Sequence, residues 1–141
     1  MIEFFDSSAL TKRYLQEPGS DAVRRATRSG PVAVSRLAYA EVAATIARTA
    51  RSAAIDAGAR DRALDRLEDD MSRWTVVEPR LRIVLRVRSL VYRHPLRGYD
   101  AMQLASALHI HDHGAAVRVW CTDAVLAAAA SAEGLAVVRP S

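Results

Sequence analysis

Of the 20 basic residues in this 141-residue chain only Lys12 is a lysine, and Cys121 is the only cysteine. A lone thiol excludes an intrachain disulfide, so a disulfide-stapled secreted scaffold is ruled out and the cytoplasm is the expected location. Long apolar runs are missing too: none approaches the roughly 20 residues that a membrane-spanning helix needs. The opening residues carry Glu3 and Asp6 and no early basic cluster, so a secretory leader is not expected. There is no internal repeat, long linker or low-complexity tail. With half its residues hydrophobic, the chain is expected to form a single domain spanning residues 1–141 around a sizeable core.

What is present in excess is arginine. The formal charge is +4, and all of the basic side chains but one are guanidinium groups, which grip phosphates bidentately and stack on bases. A nucleic-acid partner is compatible with that composition. Compositional bias accounts for it equally well, since alanine is also abundant. Charge by itself assigns nothing.

Five short apolar segments alternate with helical ones. Ile2–Phe5 reads as a buried strand, followed by a helix over Ser7–Leu15 that the Pro18-Gly19 pair ends. Ser20 or Asp21 is expected to cap a short helix reaching Gly30. Val32–Val34 is a second strand, and Ser35 is expected to cap a helix to about Arg51. A helix over Asp56–Arg73 leads into the strand in "WTVVEP", stopped by Pro79. Over Leu81–Tyr92 the spacing places Ile83, Val84, Val87, Leu90 and Val91 inward and Arg82, Arg86 and Arg93 outward. Pro95 and Gly98 precede a long helix from about Tyr99 to His113; "VRVWC", a helix from Asp123 to Ala132 and "LAVV" complete the chain. Such alternation predicts an α/β fold around a mostly parallel sheet of about five short strands. In that architecture ligands collect beyond the carboxyl ends of the strands.

Two strands end in an aspartate beside a hydroxyl: Asp6 after Ile2–Phe5, and Asp123 after "VRVWC". Either is readily explained as a helix cap. Glu41 shares a helical stripe with Leu37 and Ala44, an odd place for a carboxylate, and stands too far from Ser35 to complete a capping box. Asp100 opens the long helix, as a cap or as a first-turn acid favoured by the dipole. If the four converge, each pair at about 5 Å repels by about 3 kcal/mol at an effective dielectric near 20. Partial protonation or a bound cation relieves that repulsion. An all-oxygen donor set suits Mg²⁺ or Mn²⁺ rather than zinc, and such ions support phosphodiester hydrolysis.

The stretches "IEFFDSSALTKRYLQEPGS", "VSRLAYAEV", "RGYDAMQLASAL" and "CTDAVLAAAASAEGLAVV" resemble, in order and spacing over nearly the whole chain, the successive motifs of PIN-domain nucleases. Within that family they most resemble the VapC group, the ribonuclease toxins of type II toxin–antitoxin pairs. The resemblance implies a three-layer PIN-like domain and a metal-dependent endoribonuclease. It implies that Asp6, Glu41, Asp100 and Asp123 are both its catalytic residues and its ligands for Mg²⁺ or Mn²⁺. Ser8 and Thr122 match positions where a hydroxyl supports the site. A cognate antitoxin, an RNA substrate and a homodimer are the implied partners. Many relatives carry a further acid soon after the one matching Asp100. This chain has Met102, Gln103 and Leu104 there, which leaves a second ion without its usual ligand.

Between Arg80 and Arg97 lie six arginines and no acid, and Arg82, Arg86, Arg93 and Arg97 are candidate contacts to RNA or to an acidic partner. His109 and His113, four apart, read as cations near a helix C-terminus sooner than as metal ligands. Cys121, Trp74 and Trp120 read as core. Four rival readings stand beside the nuclease toxin. An aspartyl-nucleophile phosphatase would want Asp-x-Asp where this chain has Asp6-Ser7-Ser8, and a receiver domain would want an acidic pair and a late lysine. A PIN nuclease of RNA processing, or a non-catalytic binding module whose acids are only caps, complete the set.

Overall fold

The computed structural model describes residues 1–141. Five parallel strands, β1 (Ile2–Phe5), β2 (Val32–Ser35), β3 (Thr75–Val77), β4 (Val117–Trp120) and β5 (Ala136–Val138), form one sheet in the order β3-β2-β1-β4-β5. Helices α1 (Ser7–Tyr14), α2 (Ser20–Ser29), α3 (Leu37–Arg51) and α4 (Ala57–Arg73) cover one face. Helices α5 (Leu81–Arg93), α6 (Gly98–Asp112) and α7 (Ala124–Ala132) cover the other. The expected three-layer α/β architecture is therefore present.

Alternation along the strands divides the core in two. Phe5, Val32, Val34 and Trp120 point toward α1–α4, with Leu10, Val42, Ile46 and Leu67 behind them. Phe4, Ala33 and Val119 point toward Leu104, Leu108 and Leu126 on α6 and α7. Strands buried on both faces explain why the segments read as unbroken apolar runs. Both tryptophans pack as expected: Trp120 stacks on Phe5 with ring centroids 5.3 Å apart, and half-buried Trp74 lies under the Arg13 guanidinium. Cys121 is buried in the core, and burial pushes its thiol up to about 12.

Local details correct the sequence reading. Neither Ser20 nor Asp21 caps α2; Gly19, in the left-handed region, occupies that position, and a Cβ there would meet the Pro140 backbone at 2.8 Å. The Ser20 hydroxyl turns back instead, accepting from the Glu17 N–H and donating to the Leu15 carbonyl. Arg36, not Ser35, precedes α3 as its cap residue, although the Ser35 hydroxyl does accept from the Leu37 N–H. On α5 the inward set shrinks to Ile83, Leu90 and half-buried Val87, while Val84 and Val91 face outward. The physical reason is that α5 packs mainly on α6, and one helix neighbour covers only a narrow stripe. At the end of α6 the His113 Nδ1 bonds the His109 carbonyl, and burial together with His113 and Arg82 lowers the His109 pKa. That direction disfavours the charged form expected of His109 at the helix end.

Within the α1–α4 layer, a buried ion pair ties α1 to α4. Asp70, 1% exposed, accepts from Arg13 Nε at 2.6 Å and Nη2 at 3.0 Å, from the Tyr14 hydroxyl at 2.7 Å and from Arg73 Nη2 at 2.7 Å. Burial raises the Asp70 pKa, but these donors and the two guanidinium charges outweigh it and hold it below the usual range. Removing one partner strands a buried charge at a cost of about 3–5 kcal/mol. Asp70→Ala is therefore expected to lower the melting temperature by about 10 °C, as read by calorimetry. A depressed pKa also means that the stabilisation is present at neutral pH and is lost as pH falls through the folded value. The gap between parent and variant should narrow as pH falls below the ordinary aspartate range.

Candidate active site

Because β1 has β2 on one side and β4 on the other, the chain reverses its direction across the sheet between β1 and β4. The crevice at such a reversal is where parallel sheets bind ligands. Asp6 leaves β1 and Asp123 follows the end of β4, on the two sides of that crevice. The helix after β2 brings Glu41 to the same edge, and the first turn of α6 brings Asp100.

Asp6 is 4% exposed. It caps α1, accepting from the Ala9 N–H at 2.8 Å, and both of its oxygens accept from the Ser8 hydroxyl, at 2.8 and 2.9 Å. Ser8 Oγ in turn accepts from the Thr122 N–H at 3.2 Å, which ties the end of β4 to Asp6. Thr122 thus acts through its backbone, and its carbonyl accepts from Arg139. Asp123 caps α7 through the Val125 and Leu126 N–H groups and is exposed. Asp100 is a first-turn acid and not a cap: α6 starts at Gly98, after Arg97. Capping and convergence coexist in Asp6 and Asp123, so the cap explanation accounts for their local geometry without removing them from the crevice.

Electrostatics shows the convergence. Burial, and then the charges of Asp100 and Glu41, push Asp6 up to about 6 against the bonds from Ala9 and Ser8. Burial and the Asp100 charge raise Glu41, opposed by the Ser7 hydroxyl. Burial and the Asp123 charge raise Asp100, opposed by Arg97. The four acids therefore form a chain of mutually repelling carboxylates, with Asp123 coupled through Asp100. They do not form a closed cage: no three His, Cys, Asp or Glu side chains are drawn together tightly enough to hold an ion as they stand. Three carboxylates are buried in the fold, and two of them, Glu3 and Asp70, are paired with Arg118 and Arg13. Asp6 has no basic partner. An all-oxygen donor set carrying surplus negative charge fits a hard divalent cation.

Tyr99 and Gln103 went unassigned in the sequence. The Tyr99 hydroxyl donates to the Leu37 carbonyl at 2.8 Å, tying the start of α6 to the start of α3 beside Glu41. Gln103, 3% exposed, donates to Ser7 Oγ at 3.0 Å. The signal available for Gln103 was a polar residue one turn past Asp100, flanked by Ala101, Met102, Leu104 and Ala105. A hollow of about 430 Å³ lined by Glu41, Thr45, Arg48 and Tyr99 adjoins the acids. The largest cavity, about 680 Å³, lies at the far end of α6 against β3 and contains none of the four. Of the candidate arginines, Arg86 pairs with Asp112 and Arg93 with Glu133, whereas Arg82 and Arg97 have no acidic partner.

A PIN-domain family model matches residues 4–117. The chain belongs to the PIN-domain family. It is 36% identical to the Mycobacterium tuberculosis proteins named Ribonuclease VapC45 and Ribonuclease VapC49, over 84% of this chain and 83% of each of those. Solved structures share the PIN fold at lower identity. A toxin–antitoxin complex from Klebsiella pneumoniae superposes with a TM-score of 0.67 at 19% identity, covering 99% of this chain and 98% of that one. Rickettsia felis VapBC2, bound to a promoter DNA fragment, gives 0.68 at 10% identity with full coverage of both chains. No helix of this PIN domain is long and apolar enough to cross a membrane.

The raised pKa of Asp6 sets the sign of an experiment in EDTA. A carboxyl with a folded pKa above its ordinary value stabilises the fold below that ordinary value, and the benefit is lost as pH rises through about 6. Asparagine caps about as well as aspartate. Asp6→Asn should thus match the parent near pH 4 and be the more stable by about 3 kcal/mol at pH 7, with a correspondingly higher melting temperature. A lower melting temperature for the variant at pH 7 would remove Asp6 from the repelling set.

Proposed function

We propose that this PIN domain is a divalent-metal-dependent endoribonuclease, the toxin of a toxin–antitoxin pair. The observation that carries the reading is the surplus of carboxylates at the crevice between β1 and β4, including a buried one without a basic partner. Asp6, Glu41, Asp100 and Asp123 are the residues that would hold Mg²⁺ or Mn²⁺. When bound, such an ion lowers the pKa of a water and stabilises a leaving oxygen in phosphodiester hydrolysis.

The chain's own residues supply positioning. Ser8 holds both oxygens of Asp6, and the backbone of Thr122 holds Ser8. Arg97, one turn ahead of Asp100 and without an acidic partner, is placed to meet an RNA phosphate; Arg48 at the mouth of the hollow beside Glu41 can meet a second. Arg82 is likewise unpaired, while Arg86 and Arg93 would have to leave Asp112 and Glu133 to serve. With Met102, Gln103 and Leu104 following Asp100, the donor set is that of one ion. The ribonuclease names of the curated relatives and the toxin–antitoxin complexes among the fold neighbours support the RNA substrate and the antitoxin partner. Purified protein is expected to cut structured RNA with Mg²⁺ or Mn²⁺ and to stop on addition of EDTA. Intact products across a panel of cellular RNAs, with folded protein and either ion, would overturn the reading.

Pairing of two copies belongs to the same proposal and rests on α5. Its outer side aligns Leu81, Leu85, Arg88 and Tyr92, with Leu81, Leu85 and Tyr92 at 70%, 66% and 75% exposure and Arg88 stacked over the Tyr92 ring at 5.5 Å. Val84 and Val91 flank them. A continuous apolar stripe of this kind marks an interface, and a two-fold contact would lay stripe on stripe. The Leu85→Glu, Tyr92→Glu double variant should run as a monomer in light scattering where the parent runs as a dimer. A parent that is monomeric at about 100 μM would refute the assignment.

A further inference from the structure

Tyr99 has a hydroxyl that the fold uses and a ring that it leaves partly open. The hydroxyl donates to the Leu37 carbonyl at 2.8 Å, and that bond calls on the phenol oxygen alone. The ring is 37% exposed, whereas Phe4, Phe5 and Trp120 are buried. It lines the hollow of about 430 Å³ beside Glu41, so part of it is free to meet whatever enters there. Because the hydroxyl is tied down, the ring is in place before anything binds, and little further rotamer freedom is lost on contact.

The rest of the lining suits one nucleotide. Glu41, Ala44, Thr45 and Arg48 recur at three- and four-residue intervals and share a face of α3. Ala40 and Ala44 are exposed and carry only a methyl group, which leaves the hollow its room. Arg48 is turned back along the helix. Its Nη2 donates at 3.1 Å to the Thr45 hydroxyl, which itself donates to the Glu41 carbonyl at 3.0 Å. The guanidinium is thus held toward the Glu41 end of the hollow, by a hydroxyl and not by a carboxylate. An aromatic ring beside a cationic group is the combination that holds single-stranded nucleic acid, with bases stacked on the ring and phosphates drawn to the charge. The hollow also opens next to one of the four acids, where a phosphodiester has to lie to be cut.

We propose that this hollow is a nucleotide subsite, in which Tyr99 stacks the base of one unpaired ribonucleotide near the scissile bond and Arg48 meets its flanking phosphate. The inference rests on the reading of the chain as an endoribonuclease and narrows its substrate class. A base reaches an aromatic side chain when it is splayed out of a helix. The cut therefore falls in a loop, a bulge or an end, and not inside a duplex. Tyr99 orients the substrate and takes no part in breaking the bond.

The test couples a residue to a base. The cut in an RNA that the parent cleaves is mapped, and a stem–loop carrying it is made in copies with one abasic ribose at each unpaired position in turn. With Mn²⁺ present, one abasic copy should lower kcat/KM for the parent about tenfold. Tyr99→Ala should lose about tenfold on the intact RNA and nothing more on that abasic copy, because ring and base have then lost the same contact. Tyr99→Leu, which keeps apolar bulk without an aromatic face, should likewise lose the response to the abasic copy. Tyr99→Phe keeps the ring and should keep the response. Arg48→Gln should slow both RNAs alike and reduce the salt slope by about 1.

If no abasic position matters, or the abasic copy costs Tyr99→Ala as much as it costs the parent, the subsite is overturned. Tyr99 is then only a tie between α6 and α3, or part of a surface for a protein partner. A cut mapped inside a duplex, or an unchanged salt slope for Arg48→Gln, would also overturn it. If no RNA is cut at all, the endoribonuclease reading fails and the subsite falls with it; normal cutting without the coupling sinks the subsite alone.

Discussion

Like charges held together without a counter-charge are the constraint around which this molecule is arranged. Burial, and then mutual repulsion, raise the pKa values of Asp6, Glu41 and Asp100 at one sheet edge, so donors that hold these acids work against that repulsion. For Asp6 the donor comes from a segment far away in sequence, the backbone after β4 acting through Ser8, while Gln103 on α6 reaches the neighbouring Ser7. The Tyr99 bond to the Leu37 carbonyl then fixes α6 against α3. The parallel sheet makes this economical. All five strands end at the same edge, so one crevice collects residues from β1, β4, α3 and α6 without a long functional loop.

The three buried carboxylates of the fold differ in what surrounds them. Glu3 faces Arg118 on the adjacent strand and also accepts from the Trp120 indole; its pKa is lowered despite burial. Asp70 is surrounded by Arg13, Arg73 and the Tyr14 hydroxyl, and its pKa is lowered too. Asp6 is buried to a similar degree and is pushed the other way, to about 6. Selection for stability alone would supply a basic partner, since burying an uncompensated charge is costly. In a chain so rich in arginine, its absence beside Asp6 is a property of the site rather than a shortage of supply.

Much of this was legible in the sequence. Strand–helix alternation and the unbroken apolar strands predict the layer order, and the strand-end aspartates predict the sheet edge at which Asp6 and Asp123 lie. The misses share a cause. Gly19 rather than Ser20 heads α2 because the C-terminal residues press on that turn, a long-range contact that local capping preferences do not encode. Val84 and Val91 look inward by periodicity, but periodicity reports an apolar face and not what covers it. Gln103 read as an empty place where relatives carry an acid. Its contact with Ser7 emerges only when the fold sets α6 against α1.

The same reasoning separates what the helix caps do from what the acids do. A cap requires an oxygen that accepts from N–H groups in the first turn, and Asp6 and Asp123 both satisfy this. Serine or asparagine would serve as well. The charge is therefore surplus to the local structure at both strand ends, and it is destabilising in the company of Asp100 and Glu41. A residue whose geometry is explained locally and whose charge is not has its explanation elsewhere. At the carboxyl edge of a parallel sheet, between the strands where the order reverses, the proposed divalent cation supplies that explanation.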